Sequence, residues 1–480
     1  MKLWTACALA AMGAAMTAAG AAELNFKPIN GSGIYAVGEK VGWVVTPAAG
    51  ATTNSLYSYS IRSNAAVEIG KGTLDLSNGG GEIVVTLDHP GMVYVTIDRA
   101  PTPGPTPQEA AQINATLKAV VTKKDKALKP IFAKYPDLCL ISQPCADKPA
   151  APANLPPIQA HLAIVGAAVA PSKIAPSAAR PADFDAFWAG KLAELAKVPV
   201  NPVLTEIPAP LPGIKFYKVK LDSLNSHVQG YLAVPDKKGP FPAMVQYQWA
   251  GVYALIPFNC AIRAQEGWLC LNVDSHDMAP DTADGTPKNY NEIGNTSRET
   301  SYFLNMYLRD TRALDWLRSR PEWNKKVMLV TGTSMGGHQS LVTAGLNPGK
   351  ITAVLVNEPS GGDSQAELNG RRPAYPNWSV SNPAVAETAR YFDTANFAAK
   401  ITAPTLATIG FIDTVCPPAS VLSAVNQIPA PHEIIPMTES EHNNYTPDKQ
   451  GAWLQRSEEI FATLLHGGSF TPDETIAKAP

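Results

Sequence analysis

The segment best suited to covalent chemistry in this chain is Gly332-Thr333-Ser334-Met335-Gly336-Gly337. It follows an apolar run, VMLVTG, that reads as a buried strand, and precedes HQSLVTAGL, which reads as a helix rich in small residues. A serine in a G-x-S-x-G turn between strand and helix is the pattern of a nucleophile elbow. Glycine is required there because any Cβ would crowd the neighbouring strand and helix. Such a turn predicts that the Ser334 hydroxyl stands at the carboxyl end of a sheet, beside the positive end of a helix. A hydroxyl held there becomes a nucleophile for acyl transfer once a base removes its proton.

The acid and base that serve an elbow serine are expected in the order Ser, Asp or Glu, His. Asp413 follows the apolar run TLATIG, in GFIDTVCPP, and His442 lies in MTESEHNNY, beyond a further apolar run, HEIIPM. His442 is expected to take the Ser334 proton, with Asp413 fixing its tautomer and stabilising the imidazolium. Plainer readings exist: Asp413 as a turn or capping residue, His442 as a histidine of a polar surface loop. His338 lies on the helix after the elbow and points away from the serine. His276 follows another strand end and competes as a pocket residue, whereas His432 and His466 lack a loop downstream of the acid. For the oxyanion, the backbone N–H of Met335 is one expected donor. The second is expected from Tyr247-Gln248-Trp249-Ala250-Gly251, with Ala250 or Trp249 donating and Gly251 letting the loop pass close. Trp249 reads equally as packing or as a pocket wall.

These residues need a scaffold. From residue 182 onward the pattern alternates helix and strand. PADFDAFWAGKLAELAKV reads as an amphipathic helix with Phe184, Phe187, Trp188, Leu192 and Leu195 on one side. The runs AMVQYQ, LCLNVD, VMLVTG, AVLVNE and TLATIG read as parallel strands buried on both faces, with SYFLNMYLRDTRALDWLRS as one of the helices between them. That alternation predicts a doubly wound, mostly parallel α/β domain over residues 176–470, followed by a tail, 471–480. Residues 23–175 read differently. GWVVTP, SLYSYSIRS, EIVVTLD and GMVYVTID are short strand patterns separated by Gly- and Asn-rich turns, which predicts an all-β, immunoglobulin-like sandwich. Its aromatic residues Trp43, Tyr57 and Tyr59 read as core. An insertion at about 101–158 holds a Pro-rich hinge, PTPGPTP, and a helix pattern over 108–134; the run from His161 to Val169 then returns as a late strand.

The chain of 480 residues carries 39 Lys and Arg against 41 Asp and Glu, a net charge of −2 that offers no basic surface for nucleic acid. Its 43 prolines in 480 residues, about 9%, are well above the ordinary ~5%. They cluster at 101–107, 149–157, 171–181 and 199–212, around the insertion and the junction between the two regions. Residues 1–22 have a short basic start, an Ala/Met/Leu run and small residues at the end, the pattern of a secretory signal peptide. The mature chain is therefore expected to be periplasmic or secreted, without a membrane span. In such a compartment Cys139 and Cys145 are close enough to pair, and Cys260, Cys270 and Cys416 include at least one buried thiol. No cysteine or histidine spacing suggests a metal site.

From about 180 to 465 the chain resembles carbohydrate esterase family 7, the acetyl xylan esterase and cephalosporin C deacetylase group of the α/β-hydrolase superfamily. RPADFDAFWAGKLAELAKVPVNP resembles its opening helix and YLRDTRALDWLRSRPEWNKKVMLVTGTSMGG its helix–strand–elbow block. IGFIDTVCPPASVLSAVN resembles its acid loop, and MTESEHNNY stands where its histidine loop falls. The resemblance implies the same three catalytic residues, Ser334, Asp413 and His442. It also shows departures. Met335 stands where the family usually has Gln, and Asp274-Ser275-His276 replaces the family's Arg-Gly-Gln. The family often assembles as a ring of six with inward-facing sites, so a homo-oligomer is an open expectation that the added amino-terminal region stands to alter.

The expected activity is a serine esterase removing O-acetyl groups from carbohydrate, xylan-type oligosaccharides or other small acetyl esters, with no metal or organic cofactor. Two other readings stand beside it: a peptidase or amide hydrolase of the prolyl-oligopeptidase type, which shares fold and residue order, and a non-catalytic carbohydrate-binding or adhesion protein.

Overall fold

The computed structural model describes residues 23–48, 56–100, 161–442 and 446–479. The leader, the helix pattern at 108–134, the two Pro-rich patches at 101–107 and 149–157, and Cys139 with Cys145 lie outside these. Among the described residues, two small sheets form first. One has the order β1-β3-β6, from Leu24–Pro28, Lys40–Pro47 and Gly81–Thr86. The other has the order β2-β8-β7-β4-β5, from Ile34–Tyr35, Ala163–Val169, Gly91–Arg99, Leu56–Ser63 and Val67–Asp75. Both contribute to one core, with Val41, Trp43, Val45 and Ile83 facing Tyr57, Ile61, Val93, Val95 and Ile97. Trp43 and Tyr57 are thus core residues, while Tyr59 is half-buried. The run after the insertion is a strand of the same sheet: β8 pairs antiparallel with β7, Val95 opposite Val165.

A larger sheet follows, ordered β17-β16-β15-β14-β12-β13-β11-β10-β9. Its strands are β9 Val203–Ile207, β10 Ile214–Ser223, β11 Ser226–Pro235, β12 Phe241–Tyr247, β13 Leu269–Val273, β14 Trp323–Thr333, β15 Ala353–Asn357, β16 Thr405–Gly410 and β17 His432–Met437. From β13 through β12 to β17 every neighbouring pair is parallel, whereas β9, β10 and β11 add an antiparallel extension. β13, β15 and β16 are buried at every residue, as strands covered on both faces must be. The amphipathic helix expected near 182 spans Phe184–Ala196, burying Phe184, Phe187, Trp188 and Leu195, with Leu192 half-buried. No helix among the described residues is long and apolar enough to cross a membrane.

The sandwich is seated on the larger domain through β7 and β8. In β7, Val93, Val95 and Ile97 point into the sandwich, while Met92 joins the core of the large sheet together with Ala168 of β8. This is the two-residue alternation of a strand covered on both sides. At Gly166 the approach is so close that a Cβ would lie 2.5 Å from the Phe411 carbonyl oxygen. Phe411 opens the loop that carries Asp413, so the sandwich rests on that loop.

Candidate active site

β14 runs into the helix Met335–Leu346 through Ser334, whose φ of 57° and ψ of −121° are unfavourable for a residue with a side chain. Two glycines make the turn possible. A Cβ on Gly332 would lie 2.3 Å from the Gly336 carbonyl carbon, and one on Gly336 would lie 2.3 Å from the Tyr247 carbonyl oxygen. The second contact brings the end of β12 against the start of the helix.

Asp413 sits in the loop after β16 and is fully buried. Its Oδ1 accepts the backbone N–H groups of Val415 and Cys416, both at 2.8 Å. Its Oδ2 lies 2.7 Å from His442 Nδ1, and His442 Nε2 lies 3.0 Å from Ser334 Oγ. The three residues expected to work together therefore form one hydrogen-bonded line. Burial alone would depress the basicity of His442. The hydrogen bond and charge of Asp413, joined by the charge of Glu358, outweigh it and hold the imidazole pKa above its ordinary 6.5. Cys416 lies beside the line, its Sγ 3.9 Å from Ser334 Oγ, and burial pushes its thiol pKa well up. Cys260, Cys270 and Cys416 are all free and buried.

The Met335 N–H is at the first position of its helix, where no intrahelical carbonyl is available to it. Opposite it runs the loop after β12. Gly251, at φ 113°, donates its N–H to the Tyr290 hydroxyl at 3.2 Å. The Gly251 N–H is therefore engaged, so the loop's candidates for a second donor remain Ala250 and Trp249. Trp249 is half-buried and stacks on Tyr253 with ring centroids 5.6 Å apart.

His276 is fully buried, with Nε2 3.1 Å from the Gly251 carbonyl oxygen and Nδ1 2.8 Å from the Tyr302 hydroxyl. Burial pushes its pKa down to about 4. A neutral ring with both nitrogens engaged makes it a strut under the Gly251 loop. His338 is buried against the Tyr307 hydroxyl and Ser360, with its pKa down to about 3. The Asp274-Ser275-His276 turn is tied in by Ser275, whose N–H donates to Gln248 Oε1 at 3.0 Å. A guanidinium does brace this turn, but it is Arg309 from the helix Tyr302–Ser319, donating to the Ser275 carbonyl oxygen at 2.6 Å.

One group was not singled out by sequence reasoning. Glu358 directly follows β15, fully buried, with Oε1 accepting from the Ser440 hydroxyl at 3.0 Å and Oε2 from Gln450 Nε2 at 3.0 Å. Its Oε2 is 3.8 Å from His442 Nδ1. The available signal was its place: AVLVNE ends on a carboxylate at the carboxyl edge of a central parallel strand, where ligands and catalytic groups collect in such sheets.

A mostly parallel sheet with a strained serine at the turn from a central strand into a helix defines an α/β-hydrolase. The chain belongs to the acetyl xylan esterase (AXE1) family, whose model matches residues 172–369 and 372–457, and it is a carboxylic ester hydrolase acting in a family of carbohydrate esterases. It is 32% identical over 305 residues to the acetyl esterase Axe7A of Xylanibacter ruminicola, a match covering 60% of this chain and 69% of the relative. In structure it resembles the acetyl xylan esterase of Paenibacillus sp. R4, with a TM-score of 0.54 at 24% identity over 60% of this chain and 98% of that one. Acetyl xylan esterase 1 of a Thermoanaerobacterium species gives 0.53 at 18% identity, covering 61% and 96%. At these identities the structural likeness is one of fold.

Proposed function

We propose that this chain removes O-acetyl groups from carbohydrate, xylan-type oligosaccharides or related small acetylated compounds, through an acetyl-enzyme at Ser334. The observation that carries this reading is the line Ser334–His442–Asp413, with spacings of 3.0 and 2.7 Å, in a chain of the acetyl xylan esterase family. Ser334 Oγ attacks the acetyl carbonyl carbon while its proton passes to His442 Nε2. The oxyanion is received by the Met335 N–H and that of Ala250 or Trp249. Collapse breaks the bond to the sugar oxygen, which takes the proton from His442. Water then gives a proton to the same nitrogen, attacks the acetyl carbon and releases acetate, and Ser334 regains its hydrogen.

Acetate release from acetylated xylan and from acetylated small sugars tests this reading, with aminoacyl amides as the competing substrates. Turnover of the acetyl esters with little or no cleavage of the amides is expected. Cleavage of amides alone would give the site to the peptidase alternative. A second expectation concerns pH. His442 must be neutral to accept the serine proton, and its pKa is raised, so kcat/KM should fall as pH drops through a midpoint above 6.5. Initial rates on p-nitrophenyl acetate over about pH 5 to 9 measure this. A midpoint clearly below 6.5 would mean that Asp413 does not support the imidazolium.

A further inference from the structure

We propose that Glu358 is a second acid of this site, a positioning residue that acts on His442 from the side of Nδ1 together with Asp413. The inference rests on the reading of His442 as the base. Four observations lead to it. Glu358 Oε2 lies 3.8 Å from His442 Nδ1, the nitrogen that Asp413 Oδ2 engages at 2.7 Å. The two carboxylates come from the ends of two adjacent strands, β15 and β16, and converge on one ring atom.

The carboxyl is also held in place by the histidine's own surroundings. Ser440, two residues before His442, donates to Oε1, and Gln450 of the helix Pro447–Leu465 donates to Oε2. Gln450 is itself fixed by Asn357 Nδ2, at 3.1 Å from its Oε1. Glu358 thus links the end of β15 to the segment that delivers the base and to the helix after it. Third, the backbone is strained to achieve this: Glu358 has φ 44°, a conformation that residues with side chains seldom adopt. Fourth, the neighbouring strand leaves room for it. A Cβ on Gly410, the last residue of β16, would lie 2.7 Å from Glu358 Oε1.

The groups facing this carboxyl are Asp413 and Cys416 from the acid loop, His442 and Ser440 from the histidine segment, Gln450 from the helix, and Thr408 of β16, whose hydroxyl accepts the Glu358 N–H. Burial, and after it the charge of Asp413, pushes the Glu358 pKa up to about 7, while a positive His442 favours its ionisation. When His442 takes the serine proton, the new charge therefore forms beside two carboxyl groups, that of Asp413, fixed by the Val415 and Cys416 N–H groups, and that of Glu358, whose ionisation the imidazolium favours. Removing the second should make the imidazolium less stable.

Two variants test this, assayed with the full chain on p-nitrophenyl acetate. Glu358→Gln keeps the shape and the Ser440 contact but removes the charge. It should move the acid limb of kcat/KM to lower pH by about half a unit. Asp413→Ala should retain activity that depends on Glu358, so the double variant Asp413→Ala/Glu358→Gln should fall at least about tenfold below Asp413→Ala. A limb that does not move, or a double variant no slower than Asp413→Ala, overturns the proposal and leaves Glu358 a purely structural tether. Thermal melts check that each variant is folded. Ser334→Ala in the same assay keeps the two questions apart: if it stays active the catalytic reading fails, and if it is inactive while Glu358→Gln behaves as wild type, only the second acid fails.

Discussion

Ser334→Ala is expected to lower kcat for acetate release by about 10⁴- to 10⁶-fold while leaving the fold intact. The substitution deletes one oxygen from a residue that is only 4% exposed and whose backbone already carries the strain of the turn. Its N–H donates to the Asn357 carbonyl oxygen and its carbonyl oxygen accepts from His338 N–H, and alanine keeps both bonds. What disappears is the atom to which the acetyl group would be attached. His442 could then assist only a direct attack by water on the ester. Initial rates with acetylated xylan, together with a search for acetyl-enzyme by mass after rapid quenching, measure the effect. A variant within about tenfold of wild type would remove Ser334 from the mechanism.

Gly336→Val is expected to be nearly as damaging without touching any of the three side chains proposed to react. A Cβ at this position would stand 2.3 Å from the Tyr247 carbonyl oxygen and 3.3 Å from that of Gln248. Either the helix start or the loop after β12 must move, and these are the two segments proposed to supply the oxyanion donors. Losing one such donor costs about 10²- to 10³-fold in kcat, and displacing both should cost at least the upper figure. Overpacking of this kind also destabilises by roughly 1–3 kcal/mol, so the melting temperature should fall as well. The informative quantity is kcat in the fraction that remains folded. If that fraction turns over at the wild-type rate, the space between Gly336 and Tyr247 has no part in stabilising the oxyanion.

The parts of this site that are readable from the amino-acid sequence are those whose cause is local. An elbow announces itself through glycines that a tight turn demands. Asp413 and His442 each follow an apolar run that reads as a strand, so their place at the carboxyl edge of the sheet follows from the run. The central parallel strands are legible for the same reason. Glu358 is not legible in this way, because its partners Ser440 and Gln450 lie 82 and 92 residues away and only the finished sheet brings them together. His276 shows another limit. Its position after a strand is readable, but whether such a ring opens to a pocket or props a loop depends on Tyr302 and the Gly251 carbonyl oxygen, which no local pattern connects to it. β10 carries a weaker signal: along IKFYKVKLDS the buried residues change phase between Phe216 and Val219, Ile214 and Phe216 joining one apolar cluster and Val219 and Leu221 another. What the pattern omits is its partners, β9 and β11, and therefore the antiparallel extension of the sheet.

The contact of Gly166 with the Phe411 carbonyl oxygen bears on how the protein can be divided. Met92 and Ala168 of the sandwich belong to the same apolar cluster as Phe411, Pro418's neighbour Ala419, and Val421 of the hydrolase. A Cβ on Gly33, on the sandwich side, would lie 3.3 Å from the side chains of both Phe411 and Thr438, the latter between the last strand and His442. The segments bearing the proposed acid and base are thus packed from outside by the sandwich. A shortened chain beginning at the hydrolase would not be a smaller enzyme with the same centre. It is expected to expose the apolar patch around Phe411, Ala419 and Val421 and to loosen the segments carrying Asp413 and His442, for which the sandwich would serve as a splint.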